Sequence, residues 1–577
     1  MDVITLTADQ FDGLARSYGD PSAIAVLCSG QLSRRLVLIR EVVRRAVEAG
    51  QQAVGLAAAA LAVLAEVDAR HPEELRDVLA HPHLGTWAAT CLRSLSEAGD
   101  AAVGEVGQLG SFAAASAVRA GVPFSLTIPS RGGDVYLPTL GAAVEIGDGL
   151  ARVHGDGDSL VIVGTTRTVA VEAPFDEEGR HWAPVRVLSV EADGLVFTVA
   201  VEDLDPYRDC YSWRPSDRLA TADVDRLRRL LADAWRLLVR DHPEHAGGMR
   251  SALRSVVPLL PTNPGGQVSA ASRATFGSLA LSVPGDPATL AMLLIHEFQH
   301  VKLGGLLDLV DLYRRGGDAR HFAPWRADPR PIGGLLQGVY AFVGVTDFWR
   351  RHRSTAIGAE LRTAEFEFAL RRRQTTRALE ELAASGELTA VGSRFVSHLY
   401  QTLRSWRSEA VPREVEAAAH DTATVDAVYW RLTHRVPHPE DVGRLADAWH
   451  RGRRCPEPGN AVSGSTVDDR GAPRSLLARL IRSQVTGAGP PVAASRADRS
   501  YLSGDYDAAR RGYLEEIQRE GAPDAWAGLA VTTHRLGRPG ARALATRPEL
   551  AQAVVARLAS YAPPDLVAEW IESAIPP

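Results

Sequence analysis

Two histidines and a glutamate, His296, Glu297 and His300, stand in the otherwise apolar stretch ATLAMLLIHEFQHVKLGGLLDLVDLY, residues 288–313. The spacing is HExxH. On a helix the four-residue separation stacks both imidazoles on one face, within reach of one divalent ion. Asp286 followed by Pro287 offers an N-cap and a first-turn proline, so the sequence predicts a helix that begins there and runs through the motif. Burying these three side chains among leucines is costly unless they are hydrogen-bonded to one another or hold a metal.

Zinc peptide-bond hydrolysis is one chemistry for such a motif. Glu297 would be its general base, and a third protein ligand would complete the site. The extended form HExxHxxGxxH is excluded, because Gly304 falls one residue late and Leu306 and Leu307 stand where a third histidine is needed. A glutamate from a later helix is the other route, and GAELRTAEFEFALRRR offers Glu360, Glu365 and Glu367, which equally suit a helix face paired with its arginines.

A second informative stretch is HFAPWRADPRPIGGLLQGVYAFVGVTDFW, residues 321–349. Its first half sets Arg326 and Arg330 beside Trp325 in a proline-rich loop. Its second half reads as an apolar helix broken by one amide, Gln337. A lone buried amide requires a partner, either within the core or at a metal, its water or a substrate.

Together, HEFQHVKLGGLLDLV and PWRADPRPIGGLLQGVYAFV resemble the HExxH-motif peptide-modification proteins found beside ribosomally made natural-product precursors. The resemblance covers most of the chain, including LPTLG at residues 137–141 and the helical C-terminus, and is specific around the two motifs. It implies an iron(II)- and 2-oxoglutarate-dependent β-hydroxylase of a precursor peptide. On that resemblance His296 and His300 bind Fe(II), and Glu297, the general base of the peptidase reading, is the motif's candidate catalytic residue. Arg326 or Arg330 pairs with the distal carboxylate of oxoglutarate, and Trp325 and Tyr340 meet the substrate. A two-histidine site with open positions suits such oxygen chemistry. The chain departs from the family at Gln337, which replaces the histidine of an LHGVYAF-type motif. As a metal ligand it would be a weaker, neutral donor, or water would take its place. The competing readings are an HExxH zinc metallopeptidase and a non-catalytic peptide-binding scaffold whose metal site has decayed.

The elements that must position these residues read as an α+β, predominantly helical chain. Helical periodicity dominates residues 1–105, and short β-rich runs between glycines and aspartates fill 106–220, with Asp193-Gly194 as a hairpin signal. Helical pattern returns over 221–453, the expected catalytic region, and Pro/Gly/Ser-rich loops occupy 454–495. Residues 496–577 read as a C-terminal helical module with one tetratricopeptide-like hairpin. At 577 residues the length implies several domains.

A net charge of −6, from 64 Lys+Arg against 70 Asp+Glu, argues against nucleic acid as a partner. The four cysteines form no CxxC pair, and no basic-then-apolar leader or long uncharged apolar run is evident, so a cytoplasmic protein without a membrane partner is expected.

Overall fold

Helix starts fall where capping chemistry puts them. Asp286 accepts the Thr289 N–H at 2.8 Å and the Thr289 hydroxyl at 2.7 Å, with Pro287 in the first turn, so the helix Pro287–Leu307 begins as the sequence predicts. Asp20 and Pro21 open the helix Pro21–Arg45 in the same way. Thr7 and Gln10 form a reciprocal capping box on Ala8–Ala15.

The computed structural model describes residues 4–97, 101–261, 266–459, 462–463, 475–487, 494–558 and 562–575. The chain divides into two compact units, Met1–Asp311 and Leu312–Pro577. The fold is α+β and mostly helical, with open sheets. The boundary falls inside the 221–453 stretch, so the HExxH helix folds with the residues before it.

In the first unit, Pro21–Arg45, Gln51–Arg70, Leu84–Ser96 and Leu109–Ala120 build a helical layer whose inner faces share one core with a four-stranded antiparallel sheet. That sheet runs Phe124–Pro129, Leu150–Gly155, Ser159–Val163, Thr168–Glu172. A five-stranded mixed sheet is ordered Ser269–Ala270, Ser278–Leu281, Ser255–Pro258, Leu195–Val201, Arg186–Ala192. Ala192 pairs with Leu195 across Asp193 and Gly194, whose φ values of 47° and 76° suit the tight hairpin turn.

Three strands of this sheet, Ser255–Pro258, Ser269–Ala270 and Ser278–Leu281, lie in the stretch expected to be helical. The first and third are buried at every position, so they lack the alternation that marks a half-exposed strand. The segments Pro21–Ala49 and Gln51–Arg70 are long and apolar enough to cross a membrane by length and composition alone, a pattern not anticipated above. Both also contribute to the core. Pro21–Arg45 buries Arg35, whose guanidinium donates to the carbonyls of Ala80 and Phe276 at 2.7 Å each.

The second unit is almost entirely helical. Ile332–His352, Gly358–Ala384, Ala390–Ser405 and Arg413–His434 are joined by shorter helices through Pro564–Glu572. Residues 454–495, expected as loops, contain the helix Leu476–Thr486, and the rest of their proline- and glycine-rich sequence falls largely outside the described residues. The tetratricopeptide-like module does not stand apart. Tyr513 and Trp526 share a single core with Phe366, Leu370 and Val425.

In this unit Gly333, Gly334 and Gly338 make room for side chains of the preceding segment. A Cβ on Gly338 would stand 2.6 Å from the Trp325 indole, and one on Gly334 would stand 2.9 Å from Arg330 Nε. Gly338→Ala is therefore expected to destabilise the protein by about 1–3 kcal/mol, read as a lower urea midpoint. Gly443→Ala, where a Cβ meets nothing within 4 Å, should instead be neutral or mildly stabilising.

Candidate metal centre

The helix Pro287–Leu307 is largely apolar and mostly buried. His296 and His300 lie on its half-buried face, with Thr289, Met292 and Leu293. Their Nε2 atoms lie 3.3 Å apart and their rings meet at 78° with centroids 4.9 Å apart. A divalent ion with ligand distances of about 2.0–2.2 Å separates two donors by about 3.0–3.6 Å, so the pair has the spacing of two ligands on one ion.

Glu297 is 1% exposed. Its Oε1 accepts from the Ser269 hydroxyl at 2.6 Å and lies 3.8 Å from His296 Nε2, while its buried Oε2 has no hydrogen-bond partner. Burial pushes the carboxyl up to about 8, with the Ser269 hydrogen bond pulling the other way.

The remaining polar residues of the helix fasten it within the first unit. Lys302, buried, donates to the carbonyls of Ser17 and Tyr18 at 2.7 Å each, and Gln299 donates to the Ser17 hydroxyl. Burial drives the Lys302 ammonium well below its ordinary range. Beyond the last turn, Asp308 accepts from Arg273 Nε and from Gln31 Nε2, both at 2.8 Å.

The second stretch read from sequence lies in the second unit. Its loop is closed by paired backbone hydrogen bonds between His321 and Arg330, at 2.8 and 3.0 Å. Arg326 donates to Asp328 at 2.7 Å and Arg330 to the same carboxylate at 3.1 Å. Burial alone would raise Asp328, but these two hydrogen bonds hold it below the usual carboxylate range. Arg330 Nε is buried without a hydrogen-bond partner, so of the two arginines it has a donor left to satisfy.

Trp325 stacks on Phe342 with centroids 4.4 Å apart, and Tyr340 is 1% exposed against Phe395. As folded, Tyr340 presents no surface to a peptide. Gln337 is half-buried on the helix Ile332–His352.

The first unit thus brings together His296, His300 and Glu297, and the second brings Trp325 and Arg330 onto the glycine face of the helix that carries Gln337, with Arg326 tied to Arg330 through Asp328. The alternative carboxylates are engaged elsewhere: Glu360 with His352 at 2.9 Å, and Glu367 with Arg371 at 3.0 Å and with Arg482. Glu365 is half-buried on the same helix.

Two features escaped the sequence reading. His81, His83, Glu202 and Asp205 are buried together in the first unit, with potential ligand atoms within 4.8 Å of one another. The HxH spacing in HPHLG was the available signal, but the carboxylates follow more than a hundred residues later and become neighbours only through folding. In the second unit a cavity of about 580 Å³ is lined by Arg372, Arg373, Arg377, Arg404 and Arg407 with Glu416 and His420. Its excess of arginine suits an anionic group. In comparisons with known proteins, neither a family model nor a curated sequence matches the chain.

His321, which anchors the arginine loop, hydrogen-bonds Glu381 at 3.1 Å and Glu387 at 2.8 Å. The Glu381 bond raises the imidazole above its ordinary range against the effect of burial, with Glu387 adding to the rise, and His321 in turn lowers Glu381. A raised histidine stabilises the fold fully below its unfolded value of about 6.5 and loses that contribution as pH climbs through the folded value. A lowered glutamate contributes fully above about 4.3 and loses it on acidification. His321→Gln should therefore cost most stability between about pH 4.3 and 6.5, with the deficit shrinking on the alkaline side, as read from urea midpoints across pH.

Proposed function

We propose that the protein is an iron(II)- and 2-oxoglutarate-dependent hydroxylase acting on a residue of a ribosomally made precursor peptide, in the cytoplasm. The observation that carries the metal half of this reading is the 3.3 Å approach of His296 Nε2 and His300 Nε2 on one helical turn. The resemblance of the two motifs supports iron and oxoglutarate as the metal and cosubstrate.

Iron with oxoglutarate and oxygen supplies the oxidising power: one oxygen atom enters a Cβ–H bond of the peptide, and the other leaves in succinate, with loss of carbon dioxide. The chain's own residues do simpler work. His296 and His300 hold the ion, and the carbonyl bonds of Lys302 keep their helix from shifting. Arg326 or Arg330 would pair with an anionic carboxylate, as the resemblance implies.

A zinc peptidase is the second reading, favoured by the 3.8 Å between Glu297 Oε1 and His296 Nε2, which sets a carboxyl beside the metal position.

His300→Ala is expected to lose the metal bound at this pair and to bring oxygen-dependent succinate release, assayed with Fe(II) and 2-oxoglutarate, down to background. A full retained equivalent at this site would refute the metal pair. Glu297→Gln separates the two chemistries. A hydroxylase retains succinate release to within about tenfold, whereas a peptidase loses its general base and about 10²–10⁴-fold in cleavage. Peptide fragments produced with zinc and without oxygen would overturn the hydroxylase.

A further inference from the structure

The second cluster of metal-type donors in the first unit has an orientation that its hydrogen bonds dictate. His81 and His83 flank Pro82 in the turn between Pro72–Leu79 and Leu84–Ser96, and Glu202 and Asp205 follow the strand Leu195–Val201. All four are between 0% and 5% exposed.

The Tyr211 hydroxyl donates to Ser278 Oγ at 2.9 Å, so towards His83 Nε2, 3.2 Å away, it can only accept. The proton of neutral His83 is therefore on Nε2, and Nδ1 carries the lone pair. His81 is arranged alike. Its Nε2 faces Glu202 Oε2 at 3.3 Å, and the Tyr136 hydroxyl donates to that same oxygen at 2.9 Å. Glu202 accepts the Nε2–H, again leaving Nδ1 as the lone-pair atom.

Both free nitrogens turn towards one acceptor. His83 Nδ1 is 3.3 Å and His81 Nδ1 is 3.7 Å from Asp205 Oδ2. Neither Nδ1 has a hydrogen-bond partner. Three lone-pair atoms facing one another in a buried space repel unless a cation, or a proton on one of the ring nitrogens, lies among them. The two distances to Asp205 are close to the edge of a tetrahedron around an ion at about 2.0–2.2 Å, which is about 3.3–3.6 Å, and all the donor atoms lie within 4.8 Å of one another.

We propose that His81 Nδ1, His83 Nδ1 and the Asp205 carboxylate, with a water as fourth ligand, hold a divalent transition metal, zinc(II) by ligand type and geometry, as a structural ion distinct from any at His296 and His300. Glu202 is the carboxylate behind His81 that fixes its ring, the arrangement common around protein-bound zinc. Two carboxylates and two neutral imidazoles leave the charge of one divalent ion balanced. Burial on this scale closes the site to substrate, and the ion staples the helical turn at His81–His83 to the segment after the strand Leu195–Val201, more than a hundred residues away in sequence.

The test uses the full chain carrying His296→Ala and His300→Ala, so that the HExxH pair contributes nothing. The protein is stripped with a chelator and titrated with zinc(II) or cobalt(II). We expect about one equivalent bound, a cobalt ligand-field spectrum of tetrahedral intensity, and a Tm that falls on stripping and returns on loading. Asp205→Asn in this background should lose cobalt binding, and Tyr211→Phe, which removes the acceptor that sets the His83 tautomer, should weaken it about tenfold or more. If Asp205→Asn does not fold, Tyr211→Phe and the cobalt spectrum still decide. A folded double variant that takes up no metal and whose Tm ignores the chelator would overturn the proposal, leaving imidazolium–carboxylate pairs to hold the cluster. Wild-type protein with one equivalent, fully retained by the double variant, would instead refute the HExxH pair and leave this site standing.

Discussion

An apolar helix must be enclosed, and whatever polar side chains it carries must then be satisfied inside the enclosure. Pro287–Leu307 carries six: Thr289, His296, Glu297, Gln299, His300 and Lys302. Four find protein partners at once, on Asp286, on Ser269, on the Ser17 hydroxyl and on the carbonyls of Ser17 and Tyr18. The two histidines face each other in a half-buried position. The anchoring side chains have the further effect of holding the helix in register, so the geometry of the histidine pair depends on bonds made one or two residues away from it.

The same economy appears in the second unit through glycine instead of hydrogen bonding. The helix Ile332–His352 gives up side chains at residues 333, 334 and 338, and Tyr313, Arg330 and Trp325 occupy the space. A proline-rich loop is thereby pressed against a helix that would otherwise have no reason to receive it. His321 closes the loop by its backbone bonds to Arg330 and is itself held by two glutamates. Arg326 and Arg330 share Asp328, which tempers their charge.

The buried histidines at residues 81 and 83 show what a polar network does when each outward donor is already committed. Tyr211 and Glu202 set the tautomers from behind, and the inward nitrogens are left facing a carboxylate. Hydrogen bonding at the back of a ring thus determines the chemistry at its front.

The sequence alone determined the α+β, helix-rich character, the start of the HExxH helix at Asp286-Pro287 and the hairpin at Asp193-Gly194. Each depends on residues within a few positions of one another, whose caps, periods and turn conformations are local physics. It misjudged the fully buried strands Ser255–Pro258 and Ser278–Leu281, because burial on both faces erases the alternation that identifies a strand. It also read the C-terminal helices as a module, since periodicity does not say which core a helix joins. Only the tertiary structure decided that Glu297 is enclosed on Ser269, that Asp328 shares Arg326 and Arg330, and that His81 and His83 meet Asp205. Those outcomes depend on residues far apart in the chain, and a contact between them exists only once packing has excluded water from the space they share.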